Sequence, residues 1–210
     1  MRIVLVFLKN PTPGQVKTRL AASVGDSAAA EIYRRMVEHV CRVLPGDVTP
    51  WVLFDPPESR CVLESWLRPL LSPNVKFIPQ SHGDLGERLS HAFDAALAVA
   101  EAVAAIGTDC IDINEKTFSD AWDALERSDC VLGPTDDGGY YLIAMKRRLP
   151  VVFFDIAWST EYTLSETLDR ACAGGFGVHL LQTFHDVDTE SDWKRAKARL
   201  GSMIEKPDER

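Results

Sequence analysis

The sequence predicts a single α/β domain, a three-layer α/β/α sandwich built on a mostly parallel, mixed sheet. Short apolar runs alternate along the chain with longer segments whose apolar residues recur at helical spacing. The first run, RIVLVFL at residues 2–8, is apolar at nearly every position, which is typical of a strand buried on both faces of a parallel sheet. The segment GPTDDGGYY at residues 133–141 joins two apolar runs by a turn alone, and this predicts the mixed element.

The elements follow in chain order from these patterns. Residues 25–44 are predicted to be a helix, with Asp26 or Ser27 placed to cap its start. Further strands are predicted at residues 50–57, 75–79, 103–110, 129–135, 139–145 and, with a turn, 178–189. Further helices are predicted at residues 59–67, 83–102, 116–127, 161–172 and 190–200. The single domain is expected to span residues 1–202, with residues 203–210 as a disordered tail.

Composition and charge exclude several classes of protein. The chain has 210 residues, of which 46% are hydrophobic and 26% charged, so a sizeable core is available. Its net charge of −8 would repel a polyanion, and nucleic acid is therefore not an expected partner. No apolar stretch approaches the roughly 20 residues of a membrane span. The five cysteines are widely spaced and form no CxxC pair, which predicts neither disulfides nor a zinc knuckle and favours a cytoplasmic location.

Four polar segments follow predicted strands. They are KNPTPGQVKTRL at residues 9–20, GTDC at 107–110, GPTDDGGYY at 133–141 and DVDT at 186–189. In open α/β sheets, ligands bind beyond the carboxyl ends of the strands. We therefore expect the four segments to converge on one binding site.

The first of these segments suits an anion. Pro11 and Pro13 fix the backbone, Gly14 allows a conformation that bares N–H groups, and Lys17 and Arg19 can reach phosphate oxygens. The segment matches neither the Walker A pattern nor GxGxxG. An ordinary basic turn is the alternative, but the position after the first buried strand favours phosphate binding.

Carboxylates at strand ends point to a divalent cation. Asp109 stands where an apolar strand ends, and Asp186 and Asp188 lie two residues apart in an extended segment, where we expect only one to face the cleft. Carboxylates from separate strands suit Mg²⁺, which bridges phosphate oxygens. A cap or turn role for Asp109, and an N-cap role for Asp188 or Thr189, are alternatives that can coexist with metal binding.

Other polar segments allow either a ligand or a structural role. The DDGG segment is also a good plain hairpin turn, although Tyr140 or Tyr141 could stack on a ligand or hydrogen-bond to it. Ser159 or Thr160 could cap a helix. The helix start at residues 82–89 is less ordinary, because two glycines flank Asp84.

Together these segments resemble a known family. KNPTPGQVKTRL, QSHGDLGERL, IGTDC, VLGPTDDGGYYLIAM, WST and DVDT, in that order between Arg2 and about Leu200, resemble an uncharacterised bacterial, glycosyltransferase-like family of the nucleotide-diphospho-sugar transferase superfamily, which has the GT-A fold. That family is similar to 2-phospho-L-lactate guanylyltransferase and, more distantly, to molybdenum-cofactor guanylyltransferase. The chain departs from the family at GTDCIDIN, which lacks a proline and adds Asp112. A reshaped metal site or an altered activity is therefore expected.

The resemblance implies roles for particular residues. The catalytic residues would be Lys17, Arg19 and Asp109, and the metal ligands for Mg²⁺ or Mn²⁺ would be Asp109 and Asp188, the latter preferred over Asp186. Nucleotide phosphates would bind Lys9, Pro13, Gly14, Lys17, Arg19, Gly83, Gly86 and Arg88. The substrate would face Asp137, Gly138, Gly139, Tyr140, Trp158, Ser159 and Thr160.

Three functions compete. The first is Mg²⁺-dependent nucleotidyl transfer from an NTP to a small phosphorylated acceptor, with Lys17 and Arg19 stabilising the pyrophosphate that leaves. The second is glycosyl transfer from a nucleotide-sugar to a small acceptor, for which Asp136, Asp137 and Glu161 are candidate bases. The third is a non-catalytic nucleotide-binding protein, which the GTDCIDIN departure motivates.

Overall fold

The computed structural model describes residues 1–200 and confirms the three-layer α/β/α architecture. Within that range the chain forms seven strands: β1 (Arg2–Lys9), β2 (Val48–Asp55), β3 (Lys76–Pro79), β4 (Ala102–Ile106), β5 (Cys130–Pro134), β6 (Tyr140–Met145) and β7 (Val178–Leu180). It also forms seven α-helices: α1 (Thr18–Val24), α2 (Asp26–Arg42), α3 (Arg60–Leu67), α4 (Leu85–Leu97), α5 (Glu115–Ala124), α6 (Thr163–Ala173) and α7 (Glu190–Leu200). The tail predicted at residues 203–210 lies outside the described residues.

The strands form one mixed sheet in the order β3-β2-β1-β4-β6-β5-β7. β1 lies inside the sheet and pairs in parallel with β2 on one side and β4 on the other. β6 runs antiparallel to both β4 and β5, which confirms the predicted mixed element. The turn between β5 and β6 therefore lies at the same edge of the sheet as the carboxyl ends of β1 and β4.

The core covers both faces of the sheet, as the first strand predicts. Val4, Val6 and Leu8 of β1 belong to a cluster that includes buried residues of α2, α3 and α5. Ile3 and Leu5 belong to the opposite cluster, which includes buried residues of α4 and α6. Successive side chains of a strand alternate between faces, so a strand that is apolar throughout requires helices on both sides.

Several helix starts differ from the sequence prediction. The second helix begins at Asp26 with Gly25, at φ 85°, as its N-cap and no side-chain cap, so the predicted cap by Asp26 or Ser27 is wrong. The helix predicted to begin at residue 161 begins at Thr163. Thr160 stabilises the preceding turn instead, because its hydroxyl accepts from the Tyr162 N–H at 3.2 Å and donates to the Ala157 carbonyl at 2.7 Å.

Other boundaries also move. The helix predicted at residues 83–102 ends at Leu97, and its last residues form a turn and the start of β4. α1 was not predicted, because a helix of seven residues is too short for the helical spacing of its apolar residues to be recognised. At the far end, Thr189 caps α7, since its hydroxyl accepts from the Asp192 N–H at 3.3 Å and its own N–H donates to the Asp192 carboxylate at 2.9 Å. None of the helices within residues 1–200 is long and apolar enough to cross a membrane.

Candidate functional site

A cleft of about 720 Å³ opens at the carboxyl ends of β1, β3 and β4. Its walls come from the end of β1, the loop after it and the start of α1, from residues 80–88 and from residues 107–109, together with Tyr33, Ser159 and Asp188. Of the predicted site residues, the cleft brings together Lys9, Lys17, Arg19, Gly83, Arg88, Asp109, Ser159 and Asp188. Residues far apart in sequence thus meet at the edge that the sheet topology predicts.

Lys17 lies at the centre of the charged part of the cleft. Its Nζ is 2.8 Å from Oδ1 of Asp109 and 2.9 Å from Oδ1 of Asp188, and its side chain is only 5% exposed. Burial alone would lower the pKa of Lys17, but the charges of the two carboxylates and their hydrogen bonds raise that pKa above its ordinary value. The ammonium is therefore charged at any pH at which the protein functions.

The backbone of Lys17 has an unusual conformation. At φ 48° and ψ 46° it lies in the left-handed region, at the N-cap of α1. Residues with a Cβ rarely adopt this conformation, and such strain costs about 1–3 kcal/mol and clusters at functional sites. The surrounding contacts therefore hold the lysine in an unfavourable backbone conformation.

Tyr33 ties the ends of β1 and β4 together under the cleft. Its hydroxyl accepts a hydrogen bond from the Lys9 backbone N–H at 3.1 Å and another from the Thr108 hydroxyl at 3.1 Å. Burial, and then the charge of Asp109, raises the pKa of Tyr33 to about 12. Sequence reasoning missed Tyr33, because on a helix such as α2 an aromatic residue on the apolar face is read as core.

The segment that carries Asp188 is fixed directly to Asp109. The Val187 N–H donates to the Asp109 carbonyl at 3.0 Å, and the Val187 side chain is buried with Met36 and Ile111. Asp188 consequently reaches the cleft beside Asp109, with its side chain 37% exposed against 47% for Asp109.

Asp186 does not line the cleft, so only one of the two aspartates faces it, as the sequence led us to expect. The argument for that expectation was wrong, because residues two apart in an extended segment share a face. Burial, and then the charge of Asp109, raises the pKa of Asp186 to about 8. Within residues 1–200 its buried Oδ1 has no hydrogen-bond partner. Sequence reasoning had preferred Asp188, and Asp188 is the one that lines the cleft.

The carboxylates fit a divalent cation. Oxygen ligands suit Mg²⁺, and a positive charge, the Lys17 ammonium, already stands between Asp109 and Asp188. Within residues 1–200, no three His, Cys, Asp or Glu side chains are arranged to hold a metal by themselves. Mg²⁺ is usually held by one or two carboxylates together with substrate phosphates and water, so two protein ligands are enough.

Arginines and a glutamine form the outer part of the cleft. Arg19 is 78% exposed, and its Nη1 is 3.6 Å from Oδ2 of Asp188. Arg88 donates to the Gly83 carbonyl at 2.9 Å and to Oε1 of Gln80 at 3.2 Å. Gln80, in turn, donates through Nε2 to the carbonyls of Leu8 and Leu53, at 3.1 and 3.0 Å. Sequence reasoning did not single out Gln80, although its place directly after β3 was a usable signal.

The local structure explains why glycines stand on either side of Asp84 at the start of α4. Asp84 caps the helix in a capping box, since its carboxylate accepts from the Glu87 N–H at 2.9 Å and its own N–H donates to Glu87 at 3.0 Å. Gly83, at φ 105°, lines the cleft. Gly86 does not, because it packs on the segment after β6, where an added Cβ would lie 2.5 Å from the Phe153 carbonyl and 2.7 Å from Nε1 of Trp158.

Three of the seven residues predicted to face the substrate, Asp137, Gly138 and Gly139, form the turn after β5 instead. Oδ1 of Asp137 accepts from the Thr135 hydroxyl at 2.6 Å and from the Gly139 N–H at 3.1 Å, as in a plain hairpin turn. Gly138, at φ 88°, has no room for a Cβ, which would lie 2.1 Å from the Glu161 carbonyl. Within residues 1–200, the predicted residues that do not line the cleft are Pro13, Gly14, Gly86, Asp137, Gly138, Gly139, Tyr140, Trp158 and Thr160.

The two tyrosines after this turn begin β6 and pack toward the core. Tyr140 is partly buried with its hydroxyl inside, and its ring meets Trp158 edge-on at 6.3 Å. Tyr141 is buried, stacks on Phe184 at 4.8 Å and donates its hydroxyl proton to the Gln182 carbonyl at 3.1 Å. The Tyr141 ring is therefore not free to stack on a ligand, as the sequence had allowed.

The departure at GTDCIDIN is accommodated by packing. Ile111 and Ile113 are buried, and the Ile111 carbonyl accepts from Nε2 of His39 at 3.0 Å. Asn114 then caps α5 in a capping box. The segment that replaces the expected proline thus leaves Asp109 in contact with Lys17.

Comparison with solved structures places the fold among nucleotide-diphospho-sugar transferases. A candidate nucleotide-diphospho-sugar transferase from Desulfovibrio desulfuricans G20 is 30% identical, with a TM-score of 0.86 over 95% of this chain and 87% of that chain. An inositol-1-phosphate CTP transferase from T. maritima is 12% identical, with a TM-score of 0.62 over 98% and 97%. CMP:2-keto-3-deoxy-manno-octonic acid synthetase, in complex with CTP, is 12% identical, with a TM-score of 0.56 over 96% and 98%. The two distant likenesses concern the fold alone, which is GT-A-like.

Two further comparisons bear on the family. No curated protein matches the chain, so the suggested relation to 2-phospho-L-lactate guanylyltransferase stays a prediction. A bacterial family model matches residues 43–160, more than half of the chain. Together with the 30% identical structure, this match assigns the protein: the chain belongs to the family described as "Uncharacterized protein conserved in bacteria (DUF2064)".

Proposed function

We propose that the protein is a Mg²⁺-dependent nucleotidyltransferase that moves a nucleotidyl group from an NTP to a small phosphorylated acceptor. The observation that carries the proposal is the Lys17 ammonium held between Asp109 and Asp188 at the base of a cleft. Lys9, Arg19 and Arg88 also line this cleft and supply charge for a polyphosphate. The fold of the CTP-dependent neighbours supports the same reading.

The reaction needs little chemistry from the protein itself. A phosphate oxygen of the acceptor attacks the α-phosphorus of the NTP, the bond to the bridging oxygen breaks, and pyrophosphate leaves with the electron pair. The acceptor phosphate is already ionised, so no proton has to be abstracted. Lys17 and Arg19 stabilise the charge on the leaving pyrophosphate, and the remaining contribution is positioning. Asp109 and Asp188 would hold Mg²⁺, which neutralises the phosphate oxygens when it is bound.

The candidate bases argue against glycosyl transfer. An acceptor hydroxyl wants a carboxylate within hydrogen-bond reach of its proton. Asp136 is hydrogen-bonded to Nδ1 of His185, and Asp137 accepts two hydrogen bonds in its own turn. Within residues 1–200, neither of these nor Glu161 lines the cleft. This favours the reaction that requires no base.

Ligand-dependent stability is the first test. The purified protein is unfolded in Mg²⁺ with ATP, GTP, CTP or UTP, and separately with UDP-glucose or GDP-mannose. At 100 times its dissociation constant, an NTP that binds adds about 2.7 kcal/mol to the free energy of unfolding. Asp109→Asn should remove the Mg²⁺-dependent part of this stabilisation. Asp120→Asn should not, because Asp120 is an exposed carboxylate paired with Lys116 on α5.

The outcomes separate the three functions. If none of these nucleotides stabilises the protein, nucleotide binding is rejected, and stabilisation by the nucleotide-sugars alone selects glycosyl transfer. Transfer itself is measured as pyrophosphate release from the stabilising NTP in the presence of a panel of small phosphate monoesters. Binding without release across a broad panel favours the non-catalytic alternative.

A further inference from the structure

The ammonium of Lys17 occupies the position that a metal ion would take. It bonds to one oxygen of Asp109 and one of Asp188, at 2.8 and 2.9 Å. These are the two carboxylates that fit a divalent cation. A metal ion bonded to the same two oxygens would need the space that the ammonium fills, so at these oxygens the two cations exclude each other.

The lysine is well anchored there in the free protein. Its side chain is 5% exposed, and two charged partners hold the ammonium. A hydrated Mg²⁺ ion that arrives alone must lose water and also displace this ammonium into a cleft whose other lining carboxylate, Asp84, already caps α4. Displacement without compensation leaves a desolvated charge without partners, which is strongly unfavourable.

A polyphosphate changes this balance. Lys17 is the N-cap of α1, and the same cleft is lined by Lys9, Arg19 and Arg88, whose charges would hold phosphate oxygens. An incoming triphosphate would offer the displaced ammonium a new anionic partner.

We propose that Lys17 is a specificity-determining residue that makes the site take the metal–polyphosphate complex and reject the bare divalent cation. This inference rests on the proposed function. In the free protein the ammonium is the resident counter-ion of Asp109 and Asp188, and it moves to phosphate when the complex binds. Metal and polyphosphate therefore raise each other's affinity, and by linkage the factor is the same in both directions.

The first test measures binding of Mn²⁺ alone, from the electron paramagnetic resonance signal of the free ion. We expect weak binding to the wild-type protein and at least tenfold tighter binding to Lys17→Met. Arg19→Met removes a charge 3.6 Å from Asp188 but frees no bond to Asp109, so it should improve Mn²⁺ affinity only a few-fold. Lys116→Met, which removes a charge from an exposed pair on α5, should leave Mn²⁺ affinity at the wild-type value.

The second test uses the wild-type protein and so does not depend on the folding of a variant. A buried, hydrogen-bonded ammonium exchanges its protons slowly, and the ¹⁵N resonance of Lys17 should be observable in the free protein. We expect this resonance to be unchanged by millimolar Mg²⁺ and to shift when Mg²⁺ and inorganic tripolyphosphate are added together.

Two results would overturn the inference: wild-type protein that binds Mn²⁺ alone as tightly as Lys17→Met, or a Lys17 resonance that Mg²⁺ alone displaces. Either could occur while NTPs still stabilise the protein, which would leave the proposed function intact. If no nucleotide stabilises the protein but the Lys17→Met effect on Mn²⁺ remains, the proposed function fails while the competition between lysine and metal stands.

Discussion

Replacing Gly86 by alanine tests whether this glycine is structural or binds nucleotide. The resemblance places Gly86 among the phosphate-binding residues, whereas the structure packs it on the segment after β6. An added Cβ would lie 2.5 Å from the Phe153 carbonyl oxygen and 2.7 Å from Nε1 of Trp158. The first atom belongs to the backbone. The second belongs to an indole that itself packs against Tyr140.

The magnitude follows from two opposing effects. Alanine is favoured over glycine within a helix by about 1 kcal/mol. Overpacking costs about 1–3 kcal/mol, and the upper part of that range applies here because neither atom can retreat easily. The net loss is about 2 kcal/mol, which lowers Tm by about 4–8 °C in a domain of this size.

Urea unfolding at constant pH provides the measurement, with Gly46→Ala as the matched control. No atom lies within 4 Å of a Cβ at Gly46, so that variant should unfold at the wild-type midpoint or slightly above it. Stabilisation of Gly86→Ala by an NTP should match that of the wild-type protein. A Gly86→Ala protein that keeps its stability and loses nucleotide stabilisation would refute the packing argument.

Three further predictions concern stability. Burial lowers the pKa of His39, so below about pH 6.5 the unfolded state binds more protons than the folded state, and the free energy of unfolding falls as the pH drops. In urea titrations, His39→Gln should therefore lose less stability between pH 7.5 and 5.5 than the wild-type protein. An equal loss in both proteins would contradict this. Asp84→Ala removes a capping box and should cost about 1 kcal/mol by the same assay, whereas Ser128→Ala, with a single local bond, should cost less. Tyr33→Phe removes the acceptor of the Lys9 N–H and of the Thr108 hydroxyl, and should cost about 1–3 kcal/mol of stability in thermal unfolding. An unchanged Tm would show that these two groups find other partners.

The layered fold was predictable because its signal is repeated. An apolar β1 requires helices on both faces, and each later strand and helix adds the same constraint. Element boundaries were less predictable. The run from Ala95 to Ala102 has no strong breaker, so the end of α4 depends on where the chain must turn to enter β4. α1 packs against Trp193 of α7, a residue near the far end of the described chain, and no local sequence pattern predicts this contact.

The charged part of the site was predictable and the substrate side was not. Strand ends placed Lys17, Asp109 and Asp188 at one edge, because the topology of a parallel sheet brings such ends together. The DDGG turn lies at that edge too, but its polar groups are satisfied by their own neighbours, such as Thr135 and Gly139. Composition cannot distinguish a turn whose polar groups bond to one another from a turn whose polar groups bind a ligand.

The contact between Lys17 and Asp188 joins residues 171 positions apart. During synthesis the loop after β1 emerges early, but the carboxylate partner of its Lys17, Asp188, appears only when almost all of the described chain has been made. Until then the strained Lys17 has only Asp109 to hold it. A chain that has not yet docked the Val187 segment onto Asp109 therefore presents the cationic loop without the Asp188 carboxylate that balances its charge.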